Sequence, residues 1–239
     1  MKNKLLVIAL LLVMFAGCTK DDPEPVLSLN SNSITLFSNG SNQLVVNNAT
    51  TEKFTYTSDN SLIASVDDNG LITGERVGET TIKVSGTGFN GECKVAIKPL
   101  YNTFVEPITT FGISKSEVKA KETRIIYQES DNLIVYTGNV FERYAVYHFE
   151  NGKLSSSMIV LSTAYTTELG KYIAERYVVV SVSPVLALGT SKTFAVGTSL
   201  ESTSYWAVLY FPYDSTKSAS IKSHTTSILG KFQSELLKN

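Results

Sequence analysis

From Leu27 to Ile97, apolar residues recur at every second position in short runs, and turn residues interrupt them every 8–12 positions. The alternating pairs are Leu27/Leu29, Ile34/Leu36, Leu44/Val46, Phe54/Tyr56, Ile82/Val84 and Val95/Ile97. Period two puts i and i+2 on one face of a strand and on different sides of a helix. The stretch therefore predicts many short strands, each with one buried face, closed into an all-β sandwich or barrel. Asp67-Asp68-Asn69-Gly70 reads as a hairpin turn of type I′, joining Ile63–Val66 to Leu71–Thr73, because Asn-Gly tolerates positive φ. Gly74 and Gly78 bracket a loop before Thr80–Val84.

The order of these pieces resembles a known family. Its carriers are Leu27-Ser28-Leu29-Asn30, Ile34-Thr35-Leu36, Gly40-Ser41-Asn42-Gln43-Leu44, Phe54-Thr55-Tyr56-Thr57-Ser58 and Ile63-Ala64-Ser65-Val66. Asn69-Gly70-Leu71-Ile72-Thr73-Gly74 and Gly78-Glu79-Thr80-Thr81-Ile82-Lys83-Val84 complete the series. In this order they resemble the group 2 bacterial immunoglobulin-like domain, over residues 27–98. Phe54 or Tyr56 stands near where the family often has Trp, and either ring can fill a core between sheets. The resemblance implies a non-catalytic extracellular module that serves as spacer, stalk or adhesive surface. Fold alone does not fix function.

The N-terminus reads as a targeting segment. Met1-Lys2-Asn3-Lys4 is basic, and Leu5 to Phe15 is an unbroken apolar run. Such a run suits a signal peptide and is too short to span a bilayer, which takes about 20 residues. It ends at Phe15-Ala16-Gly17-Cys18, which resembles the bacterial lipobox, so Cys18 is the expected lipid attachment site. Residues 1–17 are then removed, and losing Lys2 and Lys4 moves the formal net charge from −1 to −3. Residues 18–26 contain Lys20-Asp21-Asp22-Pro23-Glu24-Pro25 and read as an extended tether, whose residues 19–26 reach about 26 Å at full extension. Lys followed by two acids also resembles the surface-export signal of some Gram-negative lipoproteins. The expected location is the outer membrane, lipid-anchored and facing outward. With Cys18 acylated, Cys93 is the last thiol, and its alternating strand context predicts a buried, inert side chain.

Pro99, Pro107 and Tyr101-Asn102-Thr103 mark a junction, and residues 104–239 read as an α+β domain. Ser114 and Glu117 form a potential capping box for a helix. Strands follow at Arg124–Gln128, Leu133–Tyr136, Arg143–Phe149 and Leu154–Leu161. A second helix spans about Thr166–Glu175, and strands return at Tyr177–Ser183, Thr193–Val196 and Tyr205–Phe211. Ile221, Ile228, Leu229, Phe232 and Leu236 give one apolar helical stripe near the end. An internal repeat is visible. Ser116-Glu117-Val118 aligns with Thr167-Glu168-Leu169 at an offset of 51, and Tyr144–Phe149 with Trp206–Phe211 at an offset of 62. The pattern is one antiparallel sheet with helices on one face, built from a helix-plus-strands unit used twice. It is similar to β-lactamase-inhibitor-protein folds and to outer-membrane assembly lipoproteins.

The chemistry expected of this chain is sparse. Lys plus Arg is 21 against 22 Asp plus Glu, which lacks the basic excess of a nucleic-acid binder. Two His and two Cys argue against a zinc site or a disulfide framework. His148 reads as a packed or rim residue and His224 as exposed. Ser155-Ser156-Ser157 reads as a strand edge, and no Gly-x-Ser-x-Gly elbow occurs. Glu142, Glu150, Glu168, Glu175 and Glu201 look like solvated charges, and Asp67-Asp68-Asn69 lacks the spacing of a calcium loop. No catalytic, cofactor or metal residues are assigned, and no enzyme activity is expected. The densest aromatic stretch is Tyr205–Tyr213. Alternation puts Trp206, Val208 and Tyr210 on one face and Tyr205, Leu209, Phe211 and Tyr213 on the other. Tyr205, Trp206, Tyr210 and Tyr213 are the candidate ligand contacts. The reading is an immunoglobulin-like spacer that presents the C-terminal domain to a protein partner. Its alternative is a surface polysaccharide binder using those exposed rings.

Overall fold

The computed structural model describes residues 26–49, 53–182, 185–200 and 204–213. The candidate third helix, His224 and Glu201 lie outside the described residues, as do Cys18 and the leader.

Nine strands make the N-terminal part: β1 (Ser28–Leu29), β2 (Ser33–Phe37), β3 (Ser41–Gln43), β4 (Val46–Asn47), β5 (Thr55–Ser58), β6 (Ala64–Val66), β7 (Leu71–Gly74), β8 (Gly78–Gly86) and β9 (Phe89–Lys98). They form a four-stranded sheet in the order β2-β9-β8-β5, a three-stranded sheet β3-β7-β6 and the pair β1-β4. The alternating residues meet between the sheets. Ile34, Leu44, Ile72, Ile82, Val84, Val95 and Ile97 are buried there. Cys93 is 0% exposed, and burial pushes its thiol pKa up, as befits an inert thiol. Phe54 and Tyr56 both pack against this core, and Phe54 meets Phe89 edge to face.

The Asp67–Gly70 turn departs from the expected type. Gly70 has φ +81 and Asn69 is not among the positive-φ residues, so the turn is not I′. Gly70 N–H donates to Asp67 O, and Asp67 Oδ1 accepts from the N–H groups of Asn69 and Leu71. The Asp67 side chain thus stabilises an ordinary turn that closes through a left-handed glycine. The true I′ geometry occurs at Asn151-Gly152, where both φ values are positive.

The second part begins with α1 (Lys115–Lys121), then β10 (Ile126–Glu129), β11 (Leu133–Thr137), β12 (Glu142–Glu150) and β13 (Lys153–Ser162). The expected capping box is present: the Ser114 hydroxyl accepts from Glu117 N–H while the Glu117 carboxylate accepts from Ser114 N–H. A 3-10 turn, α2 (Thr166–Arg176), β14 (Val178–Val182), β15 (Val185–Leu188), β16 (Phe194–Leu200) and β17 (Tyr205–Pro212) follow. The sequence pattern does not mark β15, which is four residues long and directly follows Pro184. All eight strands join one antiparallel sheet in the order β10-β11-β12-β13-β17-β16-β15-β14. Both described helices pack on one face. Val118 of α1 buries among Ile134, Tyr136, Tyr147 and Phe149, and Leu169, Tyr172 and Ile173 of α2 pack on Ile159, Val196, Val208 and Tyr210.

The sheet is therefore a helix followed by a four-stranded meander, twice. The two units meet at the β13–β17 pair. Helix starts Lys115 and Thr166 are 51 residues apart, and the same offset superposes side chains that share a face: Tyr147 on Thr198, Ile159 on Tyr210, Met158 on Leu209. Met158 pairs directly with Leu209 across the seam, so the pseudo-two-fold axis passes through that pair. The offset of 62 between Tyr144–Phe149 and Trp206–Phe211 does not belong to this repeat, since it aligns β12, a third strand, with β17, a fourth. Ser155–Ser157 also lies in β13, a central strand flanked by β12 and β17, and is not an edge.

A Cβ at Gly70 would sit 2.4 Å from Leu44 O and 2.9 Å from the Tyr56 ring, whereas at Gly88 (φ +71) nothing lies within 4 Å. Both positions carry the left-handed penalty of about 1–2 kcal/mol, but only the first adds a clash. Gly88→Ala is expected to cost about 1 kcal/mol and Gly70→Ala about 3 kcal/mol or more, read from the urea midpoints of the sandwich.

Candidate binding surface

The four aromatic candidates of the sequence do not form one platform. Tyr210 is 0% exposed and lies on the helix face, its ring 6.1 Å from Tyr177. It is a core residue and is excluded as a ligand contact. Trp206 shares that face, half-buried against the α2 cluster, and its Nε1–H donates to Thr166 Oγ1 at 2.9 Å. Tyr213 is half-buried against the opposite side of the sheet. Only Tyr205 takes part in a surface cluster.

Two β-bulges build that cluster. The β10–β11 register skips at Tyr127, and the β12–β13 register skips at Arg143. A bulge breaks the strict alternation and re-aims the extra side chain. Tyr127, 63% exposed, lies against Tyr144 with ring centroids 5.3 Å apart and planes tilted by 37°. The Arg143 guanidinium lies 5.3 Å from the Tyr144 ring and 4.8 Å from the Tyr205 ring, within cation–π range. It also donates to the Tyr205 hydroxyl. Among the described residues no carboxylate pairs with Arg143. The result is an outward strip, Tyr127–Tyr144–Arg143–Tyr205. Val140, 79% exposed, and Ile125, 78% exposed, sit at the same end of the sheet, where Gly138 N–H bonds Arg143 O and Thr137 N–H bonds Ile125 O. Tyr127, Arg143 and Tyr144 were missed in the sequence because a bulge shifts the phase on which alternation depends.

A bulge also explains His148. The register skips at Ser155, whose Oγ lies 2.9 Å from His148 Nδ1 and donates to His148 O at 3.1 Å. No group of three or more potential metal ligands occurs among the described residues.

The carboxylates read as solvated charges behave differently. Glu142 is 1% exposed and Glu175 6% exposed, and both hold the connection between the two parts. Glu175 accepts from Leu100 N–H at 2.9 Å and Tyr101 N–H at 3.0 Å, and Arg176 Nη1 donates to it. Its backbone carbonyl accepts from Val77 N–H of the sandwich at 2.8 Å. Arg76, also from the sandwich, donates to Tyr177 O and Leu62 O. Farther along, Glu142 accepts from Val105 N–H and from Arg124 Nη2. Arg124 in turn bonds Glu122 at 2.8 Å, which also accepts from the Tyr147 hydroxyl. Burial pushes the Glu122 pKa up, but Tyr147, the Arg124 and Thr123 amides and the Arg124 charge outweigh it, so the net shift is downward. Glu106 goes the other way, raised by burial against the hydrogen bond from Tyr177 and the charge of Arg176. Sequence could not show this, since a buried Glu is marked only by the partners that meet it in space.

Removing one partner of a buried charged network leaves unpaired groups and costs about 3–5 kcal/mol. Glu175→Ala is therefore expected to free Leu100 and Tyr101, and limited proteolysis should then cut at 98–104 many times faster than in the unaltered protein. Equal rates would show that the carboxylate does not hold the connection.

No curated protein sequence matches the chain. Among solved structures it is similar to the surface layer protein SbsC. Its domains 1–6 match at 13% identity and TM-score 0.26, covering 56% of this chain and 22% of that one. Its domains 5–6 match at 14% identity and TM-score 0.26, covering 80% of this chain and 85% of that one. The chain thus spans about a fifth of the first of these structures. Residues 27–95 match the family model of the bacterial Ig-like domain (group 2), and the buried alternation, the paired sheets and the glycine-closed turn agree with it: this segment is a bacterial Ig-like domain.

Proposed function

We propose that the protein is a non-catalytic, lipid-anchored protein of the bacterial cell surface, held on the outer membrane through Cys18. Its Ig-like domain stands between the anchor and the C-terminal domain, and it presents that domain to a protein partner. The division into a domain at 27–98 and a domain at 104–239 belongs to this reading, as does surface exposure through the tether at 18–26. The observation that carries it is the Tyr127–Tyr144–Arg143–Tyr205 strip, since Tyr and Arg beside exposed aliphatic residues are the types that dominate binding energy at protein interfaces. The clamp of Glu175 and Arg76 supports the spacer role, because a presented surface gains from a fixed orientation.

The stacked Tyr127 and Tyr144 rings favour one second reading, a polysaccharide lying across the strip. A photo-reactive residue at Tyr127, activated on intact cells, is expected to give a protein adduct, and Arg143→Ala is expected to lower its yield several-fold. Binding on a glycan array that Tyr127→Ala abolishes would select the second reading. Neither adduct nor array binding would remove both.

Anchoring is tested separately. A double-acyl anchor buries enough methylenes for stable retention. Cys18→Ala is expected to move the protein from the membrane fraction to the soluble one, and unchanged fractionation would end the lipoprotein reading.

A further inference from the structure

On the side of the eight-stranded sheet away from α1 and α2, the centre is apolar and closed to solvent. Leu133 and Val135 of β11, Val146 of β12, Met158 of β13, Ala195 of β16, and Ala207, Leu209 and Phe211 of β17 form one cluster. Val135, Val146 and Leu209 are 0% exposed and Met158 is 3% exposed. Among the described residues every member of the cluster belongs to the sheet itself, and the hydrophobics packed against it are Tyr144, Val160, Leu188 and Tyr213. A sheet face without a covering layer leaves its side chains in contact with water. Something therefore lies over this face.

We infer that the covering layer is the C-terminal segment of the same chain, residues 214–239. The described chain leaves β17 at Tyr213, which already packs against the cluster, so the next residues start on this face. Twenty-six residues remain. Within them Ile221, Ile228, Leu229, Phe232 and Leu236 repeat at helical spacing. Five adjacent strands are about 19 Å wide, and sixteen residues in a helix span about 24 Å, so one helix over 221–236 is long enough to cross them. The other stretches outside the description fit less well. Residues 50–52, 183–184 and 201–203 are too short to cover five strands, and residues 1–25 lead into the Ig-like domain. Both sides of the C-terminal sheet are then covered. Its ligand surface is confined to the strip at the sheet's end rather than the sheet's open face.

Met158 reports on this cover, as it is the only methionine beyond position 14. A buried thioether resists peroxide and an uncovered one is oxidised to the sulfoxide. In the full chain Met158 should resist oxidation. A chain ended after Tyr213 should oxidise at least about tenfold faster, and a synthetic peptide of residues 214–239 should restore the protection. A shortened chain that keeps its far-UV circular dichroism and its protection would overturn the inference. Should the shortened chain not fold, a photo-reactive residue at Phe232 in the full protein decides. Adducts within one chain to β11, β12, β13, β16 or β17 support the cover, and adducts only to the Ig-like domain or to a second copy overturn it.

Discussion

The pairing of β13 with β17 is the contact on which the C-terminal domain depends. Each helix-and-meander unit alone is a four-stranded sheet with a free inner edge, and free edges expose unpaired N–H and C=O groups. Joining them at Met158–Leu209 converts two small sheets into one, with a continuous floor for both helices. Ile134 under α1 and Val196 under α2 belong to separate buried clusters, and the half-buried Phe111 packs against both. The remaining outer edges, β10 and β14, each carry a bulge, a device that hinders further strand addition.

Periodicity made much of this legible. The alternation of the Ig-like segment led directly to its core, and Ser114 with Glu117 announced α1. The offset of 51 between the helices is visible from Ser116–Val118 and Thr167–Leu169, whereas the match of Tyr-Ala-Val in β12 to Trp-Ala-Val in β17 is a chance likeness of β-rich strings. What periodicity cannot carry is any departure from it. The bulges at Tyr127, Arg143 and Ser155 each shift the phase by one residue, and the surface strip and the His148 environment both follow from such shifts.

The charged residues show a second limit. Glu142 and Glu175 look in sequence like any glutamate on a strand or helix. They are buried because Pro99 to Ile113 lies back across the sheet and brings backbone N–H groups that need acceptors. A buried donor without a partner costs about 1–3 kcal/mol, and each carboxylate meets that need while the neighbouring Arg124 or Arg176 offsets its charge. A stretch rich in proline and polar residues, read as a junction, is thereby fixed in place.

The repeat and the strip stand in an uneven relation. The frame occurs twice, but the bulge at Arg143 has no counterpart in β16, whose pairings with β15 and β17 run without a shift in register. By face, the position 51 residues after Arg143 is Phe194, which packs inward on Tyr177 and Tyr210. A two-fold frame therefore carries a one-sided surface, so a molecule docking there meets one binding position per chain and a single direction of approach.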